Sequence, residues 1–258
     1  MLEEGLLDLD SRLGKAPGGY CETLSSRGRP FIFMNAVGVM DDVMTLLHEA
    51  GHAFHAFAAH RQPLIWQRQP GSEAAELASM SMELLAAPYL ADPGDFLTED
   101  ELRLARLEHL EDVLTSLLHI AAVDAFQSWI YTSGQGHDAA ARDDAWVQLR
   151  DRFDPGVDWS GLERERIGRW YRQIHIFVYP FYYIEYGIAQ LGALQVWRRS
   201  LENPAEALVH YRQALALGAT HSLPELYRTA GAQLIFDADR MRGLVQFVER
   251  EIEHLRSE

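Results

Sequence analysis

The 258 residues carry 38 Asp and Glu against 23 scattered Lys and Arg, a formal net charge of −15. That balance excludes the phosphate-neutralising stripe of a nucleic-acid binder and disfavours anionic membrane surfaces. Hydrophobic residues make up 48% and charged ones 24%, as in folded globular chains rather than disordered or fibrous ones.

Residues 1–30 hold turn material, GKAPGGY (Gly14 to Tyr20) and SSRGRP (Ser25 to Pro30), and read as loop. Cys21 is the lone cysteine, so it makes no internal disulfide and no CxxC pair offers sulfur ligands. It reads as an incidental or buried thiol, with a nucleophile as the weaker alternative. In PFIFMNAVG, the apolar run Phe31 to Met34 between turn residues is the best strand candidate. It offers an edge for an extended peptide or simply covers the core.

From Asp41 the pattern turns helical to about Ala59, with Asp41 or Asp42 as cap and Val43, Leu46, Leu47, Ala50, Phe54 and Phe57 on one face. After Arg61 to Pro63 and Gln69 to Gly71, Ser72 caps a helix through about Leu90, stopped by Asp92 to Gly94. Thr98 with Glu101 forms a capping box for a long, apolar central helix over LRLARLEHLEDVLTSLLHIAAVDAFQSWIY. No apolar run approaches the ~18 to 20 residues that span a bilayer.

A helix follows the turn Gly134 to Asp138 and runs to about Phe153; another begins at Ser160. Pro180 ends or kinks the helix within HIFVYPFYYIEYG. Three more helices begin near Asn203-Pro204, Ser222 and Asp237. With no repeat, low-complexity tract or clear linker, residues 1–258 read as a single mainly α domain. The opening MLEEGLLDLD is acidic where a secretory signal is basic and then apolar, which gives the expectation of a cytoplasmic protein.

The sharpest chemical feature is HEAGH, His48 to His52, inside a predicted helix. Side chains four apart share a face, so His48 and His52 can converge on one cation while Glu49 projects toward a metal-bound water. A chance match with satisfied histidines is the alternative, but imidazole on a core-facing stripe is costly without a partner. Two ligands require a third downstream, with the fourth position open to water.

Glu76 fits, because its helix is otherwise Ala, Leu and Met on the packing face, where an unpaired carboxylate is penalised. Glu73 is the runner-up ligand, and Glu83 stands two turns on, able to support a ligand from behind. His55 shares the stripe, but helical rise carries it too far for one ion to take all three histidines. It reads as a supporting or packing residue.

The run from GKAPGGYC through FIFMN and TLLHEAGHAFH to ELASMSMELL, then HIFVYPFYYIEY, resembles the catalytic part of the oligoendopeptidase F family, relatives of thimet oligopeptidase. The resemblance implies a mainly α, multi-helix zincin-type catalytic domain with a short β-strand segment near the N-terminus. It implies a zinc metalloendopeptidase that cleaves short peptides internally, with one Zn2+ held by His48, His52 and Glu76 and with Glu49 as general base. His175 and Tyr186 match the family's oxyanion-stabilising residues; Tyr183 and Tyr179 match those that contact substrate. Neutral His and Tyr are competent oxyanion donors. Without the family, His175, Tyr179, Tyr182, Tyr183 and Tyr186 read as a packed stripe at near-helical spacing. The long N-terminal helical portion usual in the family is not among these residues. Two rival readings are a non-catalytic zinc-stabilised module and a zinc carboxypeptidase of related helical fold.

Overall fold

Strand β3, Arg29–Ala36, points Pro30, Ile32 and Met34 inward and sets Phe31 and Phe33 on its other face, the period-two alternation of a half-covered strand. The computed structural model describes residues 1–91, 96–154 and 156–257. In it β3 is the middle of a three-stranded sheet, with β1 (Leu7–Asp10) parallel on one side and β2 (Tyr20–Leu24) antiparallel on the other. The segment read as loop from sequence therefore holds two strands.

Both are short edge strands, and their pairing with β3 supplies what their own pattern lacks. Tyr20 lies opposite Phe33 in the register and stacks on it at 5.0 Å, a cross-strand pair of the kind that stabilises antiparallel ladders. Lys15, whose side chain is 2% exposed, donates to the Asp8 and Asp10 carbonyls at 3.0 and 2.9 Å and to the Met34 carbonyl. It ties β1 to β3.

Helix α1 (Met40–Ala59) leaves the sheet through Val37 to Val39. Asp42 accepts from the backbone N–H of all three at 2.7 to 2.9 Å, so it satisfies the helix start from inside the first turn. Helix α2 (Ser72–Ala86) packs on α1 and passes into a 3-10 turn, Ala87–Leu90, at Pro88. The expected stop at Asp92 to Gly94 lies outside the described residues. Thr98 and Glu101 form the expected capping box at the start of α3 (Glu99–Thr132).

Helix α4 (Ala139–Phe153) is capped by the Asp138 side chain. The next helix, α5, begins at Glu163 rather than Ser160 and ends at Gly168, since Ser160 is held in a turn by Asp158. Helix α6 covers only His175–Val178, and Pro180 separates it from α7 (Tyr183–Glu202). Helices α8 (Pro204–Leu217), α9 (Leu223–Ala230) and α10 (Ala238–Ser257) follow at the predicted starts. The fold is mainly α with a small N-terminal sheet.

Contacts group the chain into two compact units, Met1–His109 with Ile188–Glu258, and Leu110–Gly187; the boundaries fall within α3 and α7. In the first, buried Leu77, Ala78, Leu194, Tyr211 and Tyr227 form part of the core, and Tyr211 donates its hydroxyl proton to the Ala78 carbonyl at 2.7 Å. In the second, Phe126 meets Trp146 and Trp170 edge-on, each at 5.3 Å, with Val123 and Ile176 beside them.

One expectation needs correcting. An 18-residue window of α3 is apolar enough, by length and composition, to cross a bilayer, with a mean hydropathy of 1.3. Its Val113, Ile120, Val123 and Phe126 are buried in protein, and 33% of that window is buried in all.

Candidate metal centre and active site

Helix α1 presents His48 and His52 one turn apart, their rings edge-on at 5.0 Å. They can face α2 closely because Gly51 lies between them: a Cβ there would come within 2.5 Å of the Ser79 Cα. This backbone-to-backbone approach brings Glu76 Oε2 to 3.3 Å from His48 Nε2 and 3.6 Å from His52 Nε2. All three side chains offer ligand atoms within 4.8 Å of one another.

Ligands at zinc's usual bond lengths stand about 3.3 Å apart along a tetrahedral edge. The observed separations fit a single ion of that size. Glu76 is 5% exposed and accepts a hydrogen bond from Ser79 Oγ at 3.1 Å, which orients the carboxylate. Glu73 stands outside this group, and buried His55 is surrounded instead by Ala74, Leu77, Tyr211 and Leu226.

Behind His48, Glu83 Oε1 lies 2.6 Å from Nδ1 and Glu83 Oε2 lies 3.0 Å from His109 Nε2. With Nδ1–H donating to Glu83, Nε2 of His48 is the nitrogen turned toward Glu76 and available as a ligand. His109 had no local sequence signal; it lies 26 residues after Glu83, on α3, and reaches the carboxylate through tertiary packing.

The electrostatics call for a cation. Burial lowers His48, but hydrogen bonds to Glu76 and Glu83 outweigh it and push the ring up to about 10. Burial pushes His52 down to about 4 despite the same Glu76 nearby. Without a metal the pair thus carries one positive charge, on His48, where three carboxylates, Glu49, Glu76 and Glu83, converge.

Glu49 is itself buried, and burial, with Glu76 and Glu83 adding to it against His48, pushes it up to about 7. Its Oε2 has no hydrogen-bond partner among the described residues. Gly19 stands beside it; a Cβ there would lie 3.7 Å from Glu49 Oε1. Cys21 is pushed up to about 12, first by burial and then by Glu49 and Glu22. A thiol so held is neutral, which disfavours the nucleophile alternative.

The other predicted residues lie in the second unit. His175 sits among Tyr179, Tyr182, Tyr183 and Tyr186, with ring centroids 6.3, 5.9, 4.9 and 5.9 Å away. They do not form a continuous helical stripe. Pro180 interrupts the helix and Phe181 takes a left-handed φ of 63°, so the four tyrosines gather round one imidazole. Gln173 and His119, neither singled out from sequence, join this cluster through hydrogen bonds.

Residues 1–245 match Peptidase family M3. The chain belongs to that family. The M3 peptidases are metallopeptidases, which agrees with the triad of His48, His52 and Glu76 as a group able to hold a metal ion.

Among M3 relatives, the chain is 23% identical over 228 residues to the oligoendopeptidase F homolog of Borreliella burgdorferi, covering 85% of this chain and 37% of that protein. It is 24% identical over 238 residues to the homolog from Lactococcus lactis subsp. lactis, covering 90% and 38%. The solved structure of PZ peptidase A with an inhibitor superposes with a TM-score of 0.90 at 34% identity, covering 98% of this chain and 44% of that one. The M3 chain described here therefore spans less than half the length of these relatives.

Proposed function

We propose that this chain carries the zinc-dependent catalytic centre of a peptidase that hydrolyses internal bonds of short peptides. The observation that carries the reading is the convergence of His48, His52 and Glu76 with buried Glu49 alongside. Zn2+, held by those three side chains, supplies Lewis acidity that polarises a carbonyl and makes water more acidic.

Glu49 acts as general base, taking the proton of the attacking water and delivering it to the leaving amine nitrogen. Burial favours the protonated form of the Glu49 carboxyl, which suits its accepting the proton and passing it on. Glu83 holds His48 in the tautomer that presents Nε2. His175 and Tyr186 supply N–H and O–H donors to the developing oxyanion, and Tyr179 and Tyr183 contact the peptide. Support for these last four roles is the match of HIFVYPFYYIEY to the family pattern and the gathering of the tyrosines round His175. No covalent intermediate is required. The lone cysteine suits a reducing compartment, which supports the cytoplasm as the site of action.

The test is cleavage of an internally quenched peptide blocked at both ends, before and after chelation and with zinc added back. Activity lost with the metal and restored by zinc is expected; cleavage that persists after complete metal removal sinks the reading. Internal fragments separate an endopeptidase from a carboxypeptidase, and zinc bound without any cleavage points to the non-catalytic module.

A further inference from the structure

Within the second unit, the polar groups beside His175 form a hydrogen-bond chain with a defined direction. Its head is Arg150, 7% exposed, paired with Asp154 and placed 5.8 Å from the Trp146 ring centroid. A guanidinium can only donate. Arg150 Nη1 lies 3.1 Å from His119 Nδ1, so that nitrogen accepts, and the proton of a neutral His119 ring resides on Nε2.

His119 Nε2 lies 3.2 Å from Gln173 Oε1 and donates to it. With its oxygen committed to His119, Gln173 turns its NH2 group to His175, whose Nδ1 is 2.7 Å away. Nδ1 of His175 therefore accepts. Burial first, with Arg150 and Arg169 adding to it, holds His119 below its ordinary value; this favours the neutral ring that the chain needs.

We propose that Arg150, His119 and Gln173 are positioning residues that fix His175 as the Nε2–H tautomer, so that its Nε2 is a hydrogen-bond donor. The direction follows from the one group that cannot accept, passed through two rings and one amide. An oxyanion needs a donor, so the chain sets the state that His175 requires for that role; this consequence, unlike the tautomer itself, rests on the function proposed above.

Long-range proton–nitrogen spectra of the full chain labelled with 15N-histidine test it, with His175 assigned by the signal lost in His175→Gln. In the parent protein Nε2 should carry the proton and Nδ1 should not. In Gln173→Glu a carboxylate faces Nδ1 and accepts from it, so a proton should appear there. In Gln173→Met the two tautomers should mix. Circular dichroism and melting temperature establish that each variant is folded, and the parent and Gln173→Met spectra decide the matter if Gln173→Glu is not.

A parent ring protonated on Nδ1 alone, or a folded Gln173→Glu whose His175 spectrum is unchanged, overturns the proposal. Under the oxyanion reading, kcat of Gln173→Glu should fall by about 10² to 10³ with KM little changed. A switched tautomer with kcat intact would uphold the chain and overturn the oxyanion role of His175.

Discussion

Gly51 of α1 lies against Ser79 of α2 so closely that a methyl group at 51 would sit 2.5 Å from the Ser79 Cα and 2.9 Å from the Ala78 carbonyl oxygen. Both neighbours are backbone atoms of a helix, which cannot rotate aside as a side-chain tip can. Gly51→Ala must therefore spread α1 from α2. Overpacking of about 1 to 3 kcal/mol opposes the gain of about 1 kcal/mol that alanine brings to a helix interior, and the melting temperature should fall. Spreading also separates Glu76 from the two histidines, so zinc affinity, measured by competition with a chromogenic chelator, should drop on the order of tenfold or more. Unchanged affinity would show that the close approach does not set the ligand spacing.

Glu49→Gln keeps the size of the side chain and removes its ability to take a proton. Because Glu49 is not one of the three grouped ligands, the variant should bind zinc as the parent does. Turnover should fall by about 10² to 10⁴, the usual contribution of a positioned general base. Peptide cleavage and metal content measured on the same sample separate the two effects, and near-parental turnover would refute the assignment.

The parts of this fold and site that could be read from sequence are those set by local geometry. HEAGH places two imidazoles on one face because positions four apart on a helix always meet, and Glu76 stands out because a carboxylate is conspicuous in an otherwise apolar run. The capping box of Thr98 and Glu101 and the breaks at Pro180 and Asn203-Pro204 are likewise local. Strands β1 and β2 were hidden because their pairing with β3 spans up to 26 residues of chain and their own four and five residues carry little pattern. His109 and Gln173 were hidden for the same physical reason. Each acquires its role from a partner 26 or 54 positions away in sequence, Glu83 for the first and His119 for the second. The packed stripe, the alternative reading of the tyrosines, does not form because Pro180 interrupts the helix and the chain turns at Phe181.

Cys21 offers a pH test. Its ionisation is pushed from 9.0 up to about 12, chiefly by burial. At pH 9 about half of the unfolded thiols are thiolate, against roughly one in a thousand of the folded ones. Alkylation by iodoacetamide should therefore be slow in the native protein and fast in denaturant. The sign for stability follows: the folded thiol stays protonated as the unfolded one ionises, so this group's contribution declines as pH rises from about 9 to 12. Native labelling at the denatured rate would contradict the burial of this thiol.

Glu83 joins His48 and His109 through its two oxygens, at 2.6 and 3.0 Å, and removing its charge should act on the metal before it acts on the fold. Glu83→Gln keeps a hydrogen-bond acceptor for His48 but no longer strengthens the imidazole as a donor to the ion. Loss of such a supporting carboxylate costs about 10- to 100-fold in metal affinity. His109→Gln leaves Glu83 in place and charged, so its effect on affinity should be smaller. The two variants together distinguish a carboxylate that tunes His48 from one that merely fills space. If affinity follows the first account, Glu83→Gln weakens zinc binding well beyond His109→Gln while the melting temperatures of the two metal-free proteins stay close. Equal affinities with unequal melting temperatures would assign Glu83 to packing alone.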